Sequence, residues 1–363
     1  MIRSRSTLFS VLLIGLAAAN TLAQVSADAP SFTVKKMGKG VYAFLRKEPA
    51  SLWFNPNNGL IVGKKFAVVI DSNISSDYTR EVLAAVKKIT DKPVKYVINT
   101  HWHEDHIIGN RVYRDAYPGV EFIGQRSTLI DLPAIGGANR KGSIANGQGF
   151  IDALMRSIKD GKDLAGQPIT DEARAGYESD IRLVSSYLAE APKFDIVMPT
   201  ILVDDNYELD MGDRKISIRF LGRAHTAADL VVYLPKEKLA FAGDLLVWPV
   251  PLVGSTAHPL DYADTLRRLK SLTAKTYIPG HGPVMYDANY VDQMIGLLDA
   301  IKNQVTAAVA RGETLDQARK SVDLTQYETQ FCGNSAHKKF VFKNYVFLPA
   351  TAAAFNDLKG GSK

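Results

Sequence analysis

Residues 101–106 of this 363-residue chain, His-Trp-His-Glu-Asp-His, set three imidazoles and the Asp105 carboxylate within six positions. Imidazole nitrogen and carboxylate oxygen are the ligands of a metal that must act as a Lewis acid. His101 and His103, two apart on an extended segment, point the same way; Asp105 and His106, a turn later, face a second point. The spacing predicts two adjacent metal positions. Three later residues complete the constellation. Each ends a strand-like segment: His225 follows 216–221, Asp244 follows 239–242, and His281 follows Tyr277-Ile278. Side chains at strand ends, held by a rigid sheet, can converge from distant sequence. Glycines at 222, 243, 280 and 282 allow the tight backbone such convergence needs.

The motifs HxHxDH at 101–106, GxxHT at 222–226, AGD at 242–244 and PGHG at 279–282, in that order, resemble the metallo-β-lactamase superfamily over roughly residues 40–285. The resemblance implies an α+β fold, an αββα sandwich of two mixed β-sheets flanked by helices, with a dinuclear zinc site at one sheet edge. Carried over by position, it implies that His101, His103 and His225 hold one Zn2+ and that Asp105, His106 and His281 hold the other, with Asp244 bridging. Two zinc ions per chain are expected. Three neutral histidines would leave the first zinc an open position and lower the pKa of a bound water towards about 7. A second cation roughly 3.5–4 Å away would polarise the substrate. Asp105 and Asp244 are the expected catalytic carboxylates, Asp105 by orienting the nucleophile or taking its proton.

The expected function is hydrolysis of a carbonyl ester, thioester or cyclic amide, with β-lactams among the candidate substrates. Asp244 favours the thioesterase and lactonase branches, since the family's true β-lactamases usually carry cysteine or serine near that place. Two other functions fit the pattern: an iron-dependent persulfide dioxygenase on the same fold, and a non-catalytic periplasmic metal-binding accessory protein. The single cysteine, Cys332, lies far from every motif and argues against covalent cysteine catalysis.

Residues outside the ligand set have blander readings. His258 and His337 read as surface or core histidines, Trp102 as packing, and Glu104 as solvent-facing. Asp229 is expected to orient an imidazole by accepting its second N–H, and Asp71 to support the 101–106 loop.

The surrounding elements must place these groups. Residues 41–45, 60–62 and 67–71 read as short strands, Ser76–Ile89 as an amphipathic helix, and 94–99 as the buried strand before the first motif. The catalytic domain is placed at 31–290. His103 and His225 stand 122 positions apart, more than a sandwich needs, so 136–192 reads as an insertion. It has a glycine-rich opening at 136–149 and helices at 151–159 and 171–190, and is a candidate lid. The apolar loop Trp248–Leu252 is a candidate pocket or core segment. Residues 291–363 read as a helical extension packed on the same domain, where Lys338, Lys339 and Lys343 suit a solvated face better than an anion site.

The basic start Met1–Arg5, the apolar stretch 8–19 and the small residues after it predict a signal peptide over 1–23, cleaved after Ala23 or alternatively Ala27. The mature chain is then expected to be periplasmic or secreted and free of the membrane. Cleavage removes two arginines and no acids, taking the net charge from +6 to +4. Without basic blocks or interleaved aromatics, nucleic acid is not expected as a partner, and a small-molecule substrate is.

Overall fold

The computed structural model describes residues 31–360 except Phe194; the predicted signal peptide lies outside them. Twelve strands form two mixed sheets. The first runs in strict sequence order: β1 (Phe32–Gly38), β2 (Val41–Arg46), β3 (Asn58–Val62), β4 (Ala67–Ile70), β5 (Val94–Ile98), β6 (Glu121–Gln125) and β7 (Ile201–Val203). Pairing is antiparallel from β1 to β4 and parallel from β4 to β7. The second sheet holds β8 (Asn206–Asp210), β9 (Lys215–Phe220), β10 (Leu230–Leu234), β11 (Leu239–Val247) and β12 (Thr276–His281). Its order is β12-β11-β10-β9-β8, with only the β11–β12 pair parallel.

Alternation across the pleat fixes which residues meet between the sheets. Val68, Ile70, Tyr96 and Ile98 of the first sheet share one buried cluster with Ile216, Ile218, Val232 and Phe241 of the second. Helices cover the outer faces, giving the expected αββα layering. On the first sheet, Val82, Leu83 and Val86 of the helix Ser76–Ile89 join Leu60, Val69 and Val97. On the second, Leu297, Leu298 and Ile301 of the helix Asn289–Ala310 join Val231, Tyr233 and Ala240, and the same cluster continues into Val346, Ala350 and Phe355.

Three elements differ from the sequence reading. β11 continues through Asp244 to Val247, and the β11–β12 register shifts on either side of Gly243, so Asp244 sits within an irregular strand rather than after it. The glycine-rich stretch 137–149 is helical: one helix runs from Thr128 to Asp160, with a π turn at Leu132–Gly136. Glycine costs a helix about 1 kcal/mol per residue relative to alanine, but here it permits close packing. A Cβ on Gly147 would lie 2.9 Å from Leu188, and one on Gly136 2.8 Å from Leu132. The third difference is β1, which the strand pattern had not marked. Four consecutive exposed residues follow Phe32, so it shows no clean alternation. The partner helix Asp171–Glu190 starts where predicted, its first turn capped by Thr170 accepting from the Ala173 N–H.

Candidate metal centre

All seven predicted ligands come from chain that follows or closes a strand, at the C-terminal ends of β5, β9, β11 and β12. β5 delivers residues 99–106, the short helix Glu104–Ile107 turns Asp105 and His106 inward, β9 leads to His225, β11 carries Asp244, and β12 ends on His281. Their ligand atoms fall into three groups whose members lie within 4.8 Å of one another: His101, His103 and His225; His101, His106 and Asp244; and Asp105, His106 and His281. The first and third are the two triplets expected. Asp244 lies between them. Its Oδ2 is 3.5 Å from His225 Nε2 and 4.0 Å from His101 Nε2, while Oδ1 is 3.3 Å from His106 Nε2 and 3.4 Å from His281 Nε2. Asp105 Oδ2 stands 3.3 Å from both His106 and His281.

Each imidazole is fixed by its other nitrogen, which determines the nitrogen left facing the cluster. His106 Nδ1 is 2.9 Å from Asp71 Oδ2, and His101 Nδ1 is 3.2 Å from Thr100 Oγ1. His225 Nδ1 donates to the Leu252 carbonyl at 3.0 Å and His281 Nδ1 to the Asn55 carbonyl at 3.1 Å. His103 is turned the other way, with Nε2 3.1 Å from Thr256 Oγ1 and Nδ1 facing His225. The result is a cup of buried nitrogens. His101 Nε2, His106 Nε2, His281 Nε2 and Asp244 Oδ1 are buried without a well-formed hydrogen bond. Orphaned buried polar atoms of this kind are costly unless a further partner joins them, and a cation satisfies all four.

The electrostatics agree. Burial, reinforced by neighbouring imidazoles, holds His101 well below the usual histidine range and His103 at about 3, and burial also lowers His225. These three are neutral donors. Burial also works against charge on His106 and His281, yet the carboxylates prevail: Asp105, Asp244 and Asp71 raise His106 well above its ordinary value, and Asp244 with Asp105 lifts His281 to about 9. The same pairing overcomes burial to depress Asp105 and Asp244 strongly. Carboxylates grouped this tightly need positive charge beside them.

Two glycines make the approach of the ligand strands feasible. A Cβ on Gly280 would fall 1.9 Å from Asp244 Oδ1, and Gly243, at φ +52°, has Thr100 where its Cβ would be, 2.6 Å away.

Asp71 supports the first motif as expected, with its oxygens accepting from the Thr100 N–H at 2.7 Å and the Thr100 hydroxyl at 2.8 Å. Asp229 does not orient an imidazole. It accepts from the Thr226 N–H and hydroxyl and so shapes the GxxHT turn. Glu104 is not solvent-facing. Its Oε2 accepts from the Tyr187 hydroxyl at 2.7 Å, Arg140 Nε lies 3.7 Å from Oε1, and burial pushes it up to about 7. Tyr187 and Arg140 arrive from the inserted helices, which is why sequence proximity could not reveal the contact. Trp102 packs as predicted against the π turn. His258 and His337 are buried and belong to none of the three groups, and Lys338 pairs with Glu172 at 3.2 Å.

The metal face opens into a cavity of about 820 Å³. Its walls come from the 52–54 loop, the inserted helix at 136–143, the 252–256 loop, and residues 344–349 of the C-terminal region. The sequence patterns marked the insertion and the 248–252 loop as candidates; in the structure Leu252 reaches the cavity, Val250 joins the core, and Trp248 is exposed. The contribution of the 52–54 loop carried no motif. That loop is held from beneath by Asp180, which accepts from Ser51 Oγ and the N–H groups of Leu52 and Trp53; burial pushes Asp180 up to about 7 against these donors.

Comparison with known proteins places this architecture. A linear primary-alkylsulfatase of Pseudomonas sp. (strain ATCC 19151) is 24% identical over 301 residues, covering 77% of this chain and 53% of the relative, so the chain spans about half that enzyme's length. A beta-lactamase-like protein 2 homolog of Caenorhabditis elegans is 22% identical over 263 residues, covering 70% of this chain and 67% of the relative. Among solved structures, a metallo-beta-lactamase from Pontibacter korlensis superposes with a TM-score of 0.50 at 20% identity, covering 74% of this chain and 99% of its own; the likeness is one of fold. Residues 52–281, more than half of the chain, match the family pattern of the metallo-beta-lactamase superfamily. The chain therefore belongs to the metallo-β-lactamase superfamily.

Proposed function

We propose that the protein is an exported dinuclear zinc hydrolase that cleaves a carbonyl ester, thioester or cyclic amide of a small-molecule substrate. The observation that carries this reading is the pair of ligand triplets joined by Asp244, with four buried polar atoms aimed at one another and otherwise unsatisfied. His101, His103 and His225 would hold one ion, Asp105, His106 and His281 the other, and Asp244 would reach both. When bound, two such cations supply Lewis acidity that makes water nucleophilic near neutral pH and polarises the scissile bond. The chain's own residues do the rest. Asp71, Thr100, Thr256 and the carbonyls of Asn55 and Leu252 fix which nitrogen each histidine presents. Asp105 is the cluster carboxylate with greater access to the cavity, its side chain 21% exposed against 3% for Asp244, and would take a proton from an attacking water. The cavity walls hold and orient the substrate body and limit bulk water.

Export rests on the amino-terminal pattern of residues 1–23 and is tested by the mass of the mature protein, expected to begin at Gln24 or Asp28. The catalytic reading is tested by metal analysis of the purified protein, together with a panel of a chromogenic cephalosporin, an acyl-homoserine lactone, a thioester and, because of the alkylsulfatase relative, a long-chain alkyl sulfate. Two zinc ions per chain and turnover of a carbonyl substrate, lost in Asp244→Ala, are expected. One iron with no hydrolysis overturns the hydrolase reading, and turnover of the sulfate ester alone overturns the carbonyl assignment.

A further inference from the structure

We infer that the site selects substrates with one extended apolar arm and no charged group remote from the scissile bond. This rests on the hydrolase reading and goes beyond it by naming the substrate class. Three observations carry it. The cavity wall around the ligands is aromatic and aliphatic: Trp53, Phe54, Ile74, Trp102, Leu252 and Tyr345 all line it. Besides the proposed metal ligands, its polar contributors are the uncharged Asn139, Ser143, Ser255, Thr256 and Asn344 and the carboxylate of Glu104; among the described residues no lysine or arginine lines it. Arg140, whose charge approaches Glu104, lines a separate cleft with Leu132 and Met198.

The apolar wall is built rather than incidental. The Tyr345 hydroxyl donates to the Leu52 carbonyl at 2.5 Å, and the Val253 N–H to the Tyr345 carbonyl at 2.9 Å, tying two walls together. Phe54 stands 5.0 Å from the His281 ring, directly beside the ligands, and Trp53 packs 5.4 Å from Tyr187. A cavity of about 820 Å³ lies in the range of small-molecule sites, which are mostly apolar with a few polar groups. An alkyl arm leaving the metal face gains apolar burial along this wall. A second anion would find no side-chain cation there and would lose its hydration.

The test compares three p-nitrophenyl esters on the zinc-loaded protein: the acetate, the octanoate, and the half-ester of octanedioic acid, in which a carboxylate replaces the terminal methyl of the octanoyl arm. The octanoate is expected to exceed the acetate in kcat/KM by about tenfold or more, as partial burial of six methylenes allows, and the half-ester to lose most of that gain. Asn139→Lys, an exposed position of the inserted helix that lines the cavity, is expected to shrink the half-ester penalty several-fold. Equal rates along the series, or a preference for the half-ester, overturns the inference. A second readout needs no turnover. Trp53 and Trp102 line the cavity, so 1-octanol is expected to alter tryptophan fluorescence of the metal-free protein saturably, while octanedioate leaves it unchanged. If no ester is hydrolysed but octanol binds, the hydrolase reading fails and the apolar site stands; if octanol does not bind, the inference falls.

Discussion

Asp71→Asn separates positioning from ligation at this centre. Asp71 is buried and sits at φ +58°, a left-handed conformation that asparagine tolerates as well as aspartate, so the substitution leaves the backbone unstrained. It changes the hydrogen bonding. Oδ1 accepts from the Thr100 N–H, and Oδ2 faces both the Thr100 hydroxyl and His106 Nδ1. An amide can replace only one of these oxygens with oxygen. If its NH2 takes the Oδ1 place, it meets the Thr100 N–H donor to donor. If it takes the Oδ2 place, it opposes a proton on His106 Nδ1 and drives that proton to Nε2, the nitrogen that faces Asp105 and Asp244. Either arrangement weakens His106 as a ligand without touching the ligand set. Losing such a supporting partner typically lowers metal affinity 10–100-fold, or about 1.4–2.7 kcal/mol. The buried donor left unsatisfied should also cost the metal-free protein about 1–3 kcal/mol. Competition with a chromophoric chelator measures the first and urea unfolding the second. Two zinc equivalents bound with wild-type affinity by Asp71→Asn would refute the claim that Asp71 sets the tautomer of His106.

Gly280→Ala should drive a methyl against Asp244 Oδ1, and metal content by mass spectrometry should fall from two to one or fewer ions per chain, with far-ultraviolet circular dichroism unchanged. For Asp180 the sign follows from its raised value, about 7 against an ordinary 3.8: its contribution to stability is complete below about pH 4 and is lost as pH rises through about 7. The wild-type minus Asp180→Asn difference in unfolding free energy should fall across that interval, and a flat difference would contradict the raised value. Chelation should leave a folded protein, because every imidazole is held by the chain itself, yet lower its melting temperature; restoring zinc at about 1,000 times Kd should return about 4 kcal/mol. Tyr187→Phe strips the half-buried Glu104 of its hydroxyl donor and should cost about 1–3 kcal/mol, read by denaturant unfolding.

The ligand geometry was legible in the sequence because it is local. Short motifs after apolar runs set side-chain type and direction together, and the helix Ser76–Ile89 has the predicted limits because its apolar spacing is regular. What escaped depends on distant chain. Glu104 looks solvent-facing in its hexapeptide and becomes half-buried only when Tyr187 and Arg140 arrive on the inserted helices. The glycines of 137–149 argue against helix by propensity, and packing against Leu188 outweighs them. The carbonyls of Asn55 and Leu252 hold His281 and His225, and no residue identity encodes a backbone oxygen. Asp229 was correctly placed near the site, but its partner is the turn of Thr226 rather than a ring.

The family pattern ends at residue 281, where the last strand of the second sheet ends, but the helices that cover that sheet lie beyond it. Val231, Tyr233, Ala240 and Ala242 lie in one apolar cluster with Leu297, Leu298, Ile301, Val346 and Ala350. A fragment cut after the last motif would keep all seven proposed ligands while laying bare the greasy underside of the platform that carries them. It would also lose Tyr345, and with it one wall of the substrate chamber. The stretch by which this chain is recognised as kin is thus shorter than the stretch that can stand alone in water, and expression trimmed to the recognisable part should yield aggregate rather than enzyme.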